Sequence, residues 1–297
     1  MTSKRIFLKI FIPFLLAFSS INANNKADLI IFSYNRPTQL YALLESAKYY
    51  IDGIDQTHVI YRSSNHEYEK AYKEVKLEFP EVIFHKQGKN PQKNFKSLTI
   101  KTIVESPSNY VMFGVDDIIV KDFIDIKLTT KLLYKTQAYG FFLRLGLHID
   151  HNYPRNKPEK VPQCKPITQD VFTWKFTDGT GYWGYPNTVD MTIYRKEEVI
   201  DDFKDMKFTN PNTLESRWNC KRGKLMKKEG LCFKTAKIVN FPLNRVQTGF
   251  NNRYTKSLTA KELLEIFNQG LKIDIAPIHK IVNKSAHMDY EPTFIER

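Results

Sequence analysis

Cysteine is scarce in this 297-residue chain. The three present, Cys164, Cys220 and Cys232, cannot all pair within one molecule, and none lies in a Cys-x-x-Cys string. A zinc ribbon and a disulfide-built scaffold are therefore excluded. Cys220 and Cys232 are close enough in sequence to close a short loop in an oxidising compartment; two free thiols are the equal alternative. Glycine (12) and proline (14) are too few for a collagenous or low-complexity chain. There is no internal repeat. No Gly-x-Ser-x-Gly elbow, P-loop, His-Glu-x-x-His or Gly-x-Gly-x-x-Gly string occurs, which argues against hydrolase, NTPase, zincin and dinucleotide-binding classes. Runs of Lys and Arg never exceed a pair such as Lys227-Lys228. A nucleic-acid binder would interleave basic clusters with aromatics, so no nucleic acid is expected as a partner.

What is abundant is apolar and basic. Hydrophobic residues make up 42% and aromatics 13%, enough for one large core. Lys and Arg number 45 against 32 Asp and Glu, a formal charge of +13, which suits an anionic partner such as a phosphorylated ligand or an acidic membrane surface. Residues 1–23 read as a targeting segment. Lys4, Arg5 and Lys9 precede an unbroken apolar run from Ile10 to Phe18, and Ala23 ends a small, polar exit. The run is short for a hydrocarbon core of roughly 30 Å, which favours a cleaved signal peptide over an N-terminal anchor. Either way the chain is expected to be exported or membrane-anchored, in a secretory lumen or in the periplasm or cell envelope.

The first half alternates strand and helix. Asp28 to Ser33 is a nearly all-apolar strand, as expected when both faces are covered. Pro37 opens a helix with Leu40, Leu43, Leu44 and Ala47 in one stripe. Strands are expected at His58–Tyr61, Val82–Phe84 and Tyr110–Val115, with helices over Glu67–Phe79 and Phe95–Val104 between them. The alternation implies βαβ units and a mostly parallel sheet. Asp116 and Asp117 follow the fourth strand, and the loop Tyr34-Asn35-Arg36-Pro37 follows the first, so both should face one crevice at the carboxyl ends of the strands. The second half is less regular. A Pro-rich loop spans Asn152–Pro166, a strand Val189–Tyr194, a turn and helix Asn210–Trp218 capped by Asn212 or Thr213, a strand Val239–Pro242, and a helix Thr259–Gly270. The reading is of a targeting segment (1–23), a regular α/β half (24–126) and a less regular half of the same domain (127–297).

In order and spacing, Phe32-Ser33-Tyr34-Asn35-Arg36-Pro37, Lys93-Asn94-Phe95 and Asp116-Asp117 resemble the GT-A glycosyltransferases, especially the family-2-like inverting group, over about residues 27–126. The strings Asn210 to Glu215 and Asn244 to Gln247 look like late motifs of a GT-A subgroup. The resemblance implies a GT-A α/β fold: a mostly parallel mixed sheet flanked by helices, with a less regular acceptor-side C-terminal half. It implies transfer of a sugar from a nucleotide-sugar donor to a hydroxyl of a glycan or glycolipid, with Mn2+ or Mg2+ neutralising the donor diphosphate. Asp117 would hold the metal and Asp116 the ribose or sugar hydroxyls. Tyr34 would stack on the base, with Asn35 beside it, and Arg36 would meet phosphate. Lys93 and Asn94 would contact diphosphate or sugar. Two positions depart from the family: Val115 stands where a third acid is common, and Arg62 stands near the acid expected after the second strand. They keep alive an alternative, a catalytically degenerate GT-A domain that only binds sugar or nucleotide.

Inverting transfer needs one general base. The candidates are Glu215, Asp190 and Asp178, with Glu215 first. Trp183 and Tyr185, in a Gly-rich aromatic segment, are candidate sugar-stacking residues, and His148, Asp150 and His151 are at best a loose metal spacing.

Overall fold

The computed structural model describes residues 26–247, 249 and 253–297; the targeting segment and its cleavage site lie outside the described residues. Nine strands form one sheet: β1 (Ala27–Tyr34), β2 (Ile54–Arg62), β3 (Ile83–Lys86), β4 (Tyr110–Val115), β5 (Gly140–Phe142), β6 (Lys165–Pro166), β7 (Val171–Lys175), β8 (Thr192–Arg195) and β9 (Glu229–Phe233). Their spatial order is β6-β7-β9-β5-β8-β4-β1-β2-β3. All but β7 and β8 run the same way, since β8 is antiparallel to both β4 and β5, and β7 to both β6 and β9. The fold is thus mixed α/β with a mostly parallel central sheet.

Both faces are covered, which explains the unbroken apolar strands. Leu29 and Ile31 of β1 join one core with Tyr110 and Met112 of β4; Ile30 and Phe32 join a second with Val111 and Phe113. The first core is closed by α1 (Pro37–Tyr50), α2 (His66–Glu78), α4 (Ile126–Thr136) and α7 (Ala260–Asn268). The second is closed by α3 (Pro91–Glu105), α5 (Lys196–Asp205) and α6 (Pro211–Cys220). The Leu40, Leu43, Leu44 and Ala47 stripe is buried as its spacing requires.

Several expectations are corrected. The predicted strand at Val189–Tyr194 begins only at Thr192, because Met191 sits at φ 43° and breaks the extended run. Asp190 therefore precedes the strand. The cap of α6 is Asn210, whose side chain accepts from Thr213 N while Thr213 Oγ1 accepts from Asn210 N, a reciprocal box. The Asn152–Pro166 loop carries a short antiparallel pair, His151–Asn152 with Lys157–Pro158, as well as β6. Ile238–Asn240 is a strand, but it pairs with Ile118–Val120 outside the main sheet. Cys220 is exposed and Cys232 buried in β9, and both are free, so the short disulfide loop is not formed. No helix among the described residues is long and apolar enough to cross a membrane.

Candidate functional site

A large cavity of about 910 Å3 opens at the carboxyl ends of β1 and β4. This is where a parallel sheet places ligands: strand ends and helix starts converge there, leaving unpaired backbone groups and room for loops. Because β8 runs against β4, its amino end arrives at the same place and delivers Asp190. The ribbon of Ile118–Val120 with Ile238–Asn240 delivers Asn240 beside Asp117, fixed by Phe241 N donating to Asp117 O at 2.7 Å. The second turn of α6 delivers Glu215.

The acids occupy distinct environments. Asp116 is buried, and its carboxylate accepts from Ser33 Oγ (2.9 Å), Tyr34 N (3.2 Å) and Arg36 Nη1 (2.9 Å). It ties the first-strand loop to the end of β4, so little of it is left for a ribose or sugar hydroxyl. Asp117 accepts from Arg36 Nη1 (3.3 Å) and faces Asn240 Nδ2 (3.5 Å). Burial, with Asp116 and Asp190 nearby, pushes its carboxyl up to about 6 against the pull of Arg36. Asp190 Oδ2 accepts from Arg144 Nη1 at 3.1 Å and its Oδ1 from Asn240 Nδ2 at 3.3 Å. Glu215 Oε1 accepts from Val189 N at 3.1 Å. Burial and then Asp190 push the Glu215 carboxyl up to about 7.

Asn240 sits at the centre of this group. Its Nδ2 is shared by one oxygen of Asp117 and one of Asp190, while its own Oδ1 is buried without a partner. The second oxygen of each carboxylate is held by an arginine, Arg36 or Arg144.

The cations lining the cavity are all arginines. Six of the chain's eleven arginines line it, and among the described residues no lysine does. Guanidinium forks match phosphate and carboxylate oxygens two at a time, whereas an ammonium is a point charge, so the choice suits an anionic ligand held in fixed orientation. Arg62 lies over the Tyr34 ring, 5.0 Å from its centroid. Arg36 is nearly buried, and Asn244 accepts from its Nε at 2.9 Å and from its Nη2 through the backbone carbonyl. It clamps Asp116 and Asp117 together while still lining the cavity.

Other sequence candidates move away from the cavity. Asn35, at φ 53°, bridges to Ser64 through its amide oxygen and nitrogen, both at 2.8 Å, and does not line the cavity. Lys93 and Asn94 also lie outside it; the start of α3, capped by Asn90 through Lys93 N, offers Gln92 and Phe95 instead. Asp178 is exposed and bonds only its neighbour Thr177. Trp183 is fully buried, donating Nε1 to Ile149 O at 3.0 Å, so it fills core. Tyr185 does line the cavity, joined by Tyr182 and the half-buried His287. His148, Asp150 and His151 do not: among the described residues no three or more His, Cys, Asp or Glu side chains are grouped to hold a metal.

The sequence reading missed Arg144 and Asn240. Arg144 left a signal: a lone cation in the run Phe141-Phe142-Leu143-Arg144-Leu145 must be buried with a partner. Asn240 left none beyond being a polar residue in an apolar strand.

No family model matches the chain, and no curated protein matches it in sequence. Solved structures do match in shape. S. aureus TarS in complex with UDP is 13% identical over 70% of this chain and 57% of that one, with a TM-score of 0.45. GalNAc-T7 with UDP, GalNAc and Mn2+ is 10% identical over 82% and 47%, with a TM-score of 0.46. The 4-diphosphocytidyl-2C-methyl-D-erythritol synthase of Anaerococcus prevotii is 12% identical over 72% and 90%, with a TM-score of 0.40. The chain spans between a third and just under three fifths of the TarS chains it matches. Likenesses this distant do not decide function, and the assignment rests on the cavity itself.

Proposed function

We propose that the chain is a glycosyltransferase that moves a sugar from a nucleotide-sugar donor to a hydroxyl of a glycan or glycolipid, with inversion. One observation carries the reading: Asp117, Asp190 and Glu215 converge in an arginine-lined cavity at the carboxyl end of a parallel sheet. The arginines suit a nucleoside diphosphate, and Tyr34 under Arg62 offers a ring for the base. Tyr182 and Tyr185 offer flat apolar faces for a sugar.

Glu215 is the general base. An ordinary glutamate is too acidic to hold a proton near neutral pH, whereas one raised to about 7 is matched to that task. As the acceptor oxygen bonds to the anomeric carbon, its proton passes to Glu215. The bond from that carbon to the diphosphate oxygen breaks on the opposite face, and the nucleotide leaves with the electron pair. Asp190, pinned by Arg144, supports Glu215 in its raised state by like-charge repulsion.

The residues also suit a divalent cation. One oxygen each from Asp117 and Asp190 faces the amide of Asn240, whose buried carbonyl oxygen lacks a partner. Hard oxygen donors of this kind fit Mg2+ or Mn2+, with remaining positions left to phosphate and water. When bound, the ion would neutralise charge on the departing diphosphate.

A second reading, a binding module without turnover, is favoured by the Arg36 clamp, which already neutralises both acids at the end of β4. The two are separated by following nucleotide release from UDP- and GDP-sugars by phosphorus NMR. The transferase predicts release that Glu215→Gln slows by about 100-fold or more while donor affinity stays within about two-fold. Donor binding with no release in the parent protein would leave the binding module.

A further inference from the structure

The cavity lies at one end of the strands; the opposite end carries a surface the proposed transfer does not use. Tyr50 ends α1, and around it are Tyr49 on the same turn, Phe123 at 5.4 Å between ring centroids and His279 stacked at 5.1 Å. Tyr49 and Phe123 are 63% and 65% exposed, which is costly for rings unless something covers them. The patch is continuous with α4, because Ile51–Asp52 pairs with Ile124–Asp125 and Gly53 packs against Ile126.

α4 is amphipathic in an uncommon sense. Its inner face packs into the core, while its outer face carries Lys127, Lys131 and Lys135 in one stripe at four-residue spacing, with Leu128 and Tyr134 exposed between them. Lys280 adds a further exposed cation beside His279. The acids nearby are Asp52, Asp122, Asp125 and Glu81. Asp122 is paired with Lys237, Glu81 with Lys48, and Asp125 caps α4 through Leu128 N. Aromatic rings set among outward lysines are the chemistry of a lipid headgroup boundary: the rings enter the interface and the ammonium groups meet anionic headgroups.

The path of the chain makes an independent case. Ala27 begins β1 opposite Ile54, and Lys26 pairs with Asp55, so Lys26, the first described residue, lies at this same end; the sequence before it is residues 1–25. Those residues carry the apolar run Ile10–Phe18 with its flanking Lys4, Arg5 and Lys9.

We infer that the Tyr49–Tyr50–Phe123 patch and the lysine stripe of α4 form a docking surface for an anionic lipid bilayer. The surface presents the fold with the amino ends of its strands toward the membrane. The cavity, a strand length of roughly 25 Å away, then opens away from the bilayer. An acceptor would reach it from the aqueous side rather than lying in the headgroup plane; this corollary alone rests on the proposed transfer.

The test uses the full chain with vesicles of phosphatidylcholine alone or with about 30% phosphatidylglycerol, sedimented at low and high salt. The parent protein should prefer the anionic vesicles, and the preference should fade in salt. The triple variant K127Q/K131Q/K135Q, altered only at exposed positions, should lose that preference by a factor on the order of 100 while keeping its binding to neutral vesicles. Orientation is read by fluorescence, since the native Trp174, Trp183 and Trp218 are all buried. Phe123→Trp should be quenched by brominated lipid, and Gln92→Trp at the cavity mouth should not. A triple variant with unchanged anionic preference, or quenching at position 92 instead of 123, would overturn the assignment. So would concentration-dependent dimerisation without vesicles that Phe123→Ser abolishes, because a second copy would then own the patch.

Discussion

Glu215 carries the chemistry proposed here, and its environment makes a prediction that needs no substrate. A carboxyl raised from its ordinary value to about 7 binds its proton more tightly in the folded chain than in the unfolded one. Its stabilising contribution is complete below the unfolded value, near 4.5, and is lost as the pH rises through 7. At pH 8 the folded protein therefore holds a charge it would rather not hold. One pK unit corresponds to about 1.4 kcal/mol, so the full shift would cost about 3 kcal/mol; the cavity admits water, which trims this to about 1–3 kcal/mol. Glu215→Gln keeps the shape and the Val189 hydrogen bond but removes the charge. It should therefore raise the melting temperature at pH 8 by about 2–12 °C, given about 2–4 °C per kcal/mol for a chain of this size. At pH 4.5 the gain should vanish, because both proteins are then neutral at this position. Thermal melts of the two proteins across pH 4.5 to 8.5 read this directly. A melting difference that is flat with pH would refute the reasoning and return Glu215 to an ordinary helix-start acid.

Three further outcomes follow from the geometry. Arg36→Ala removes the guanidinium bonded to both Asp116 and Asp117 and should destabilise the fold by about 3–5 kcal/mol, seen as a lower denaturation midpoint. Trp183→Ala should cost about 3–5 kcal/mol of stability by opening a core cavity, whereas Tyr185→Ala should leave stability nearly intact and weaken ligand binding; paired melts and titrations separate the two. Lys93→Ala and Asn94→Ala should leave nucleotide affinity within about two-fold, since neither side chain lines the cavity.

The first half of the fold was readable because each strand is apolar on both faces and each helix carries one stripe, so local pattern and final burial agree. The crevice followed from topology: two polar loops after parallel strands must share an end. What stayed hidden was long-range pairing. Nothing local in Val239-Asn240-Phe241 says that this strand will lie against Ile118–Val120 and bring Asn240 to Asp117. Nor does local sequence tell Trp183 from Tyr185, two residues apart in one aromatic segment, where a hydrogen bond to Ile149 draws one into the core and leaves the other on the cavity wall. The mutual pairing of Asp116 and Arg36 stayed hidden for a related reason. Both types bind ligands well, but a buried acid and a buried cation satisfy each other first.

The most direct test is calorimetric titration of the full chain with UDP and with GDP, with and without Mn2+, repeated on Asp117→Asn. The account predicts binding of at least one nucleotide that strengthens with the ion and loses that dependence in the variant. Absence of binding to either nucleotide under any condition would contradict it.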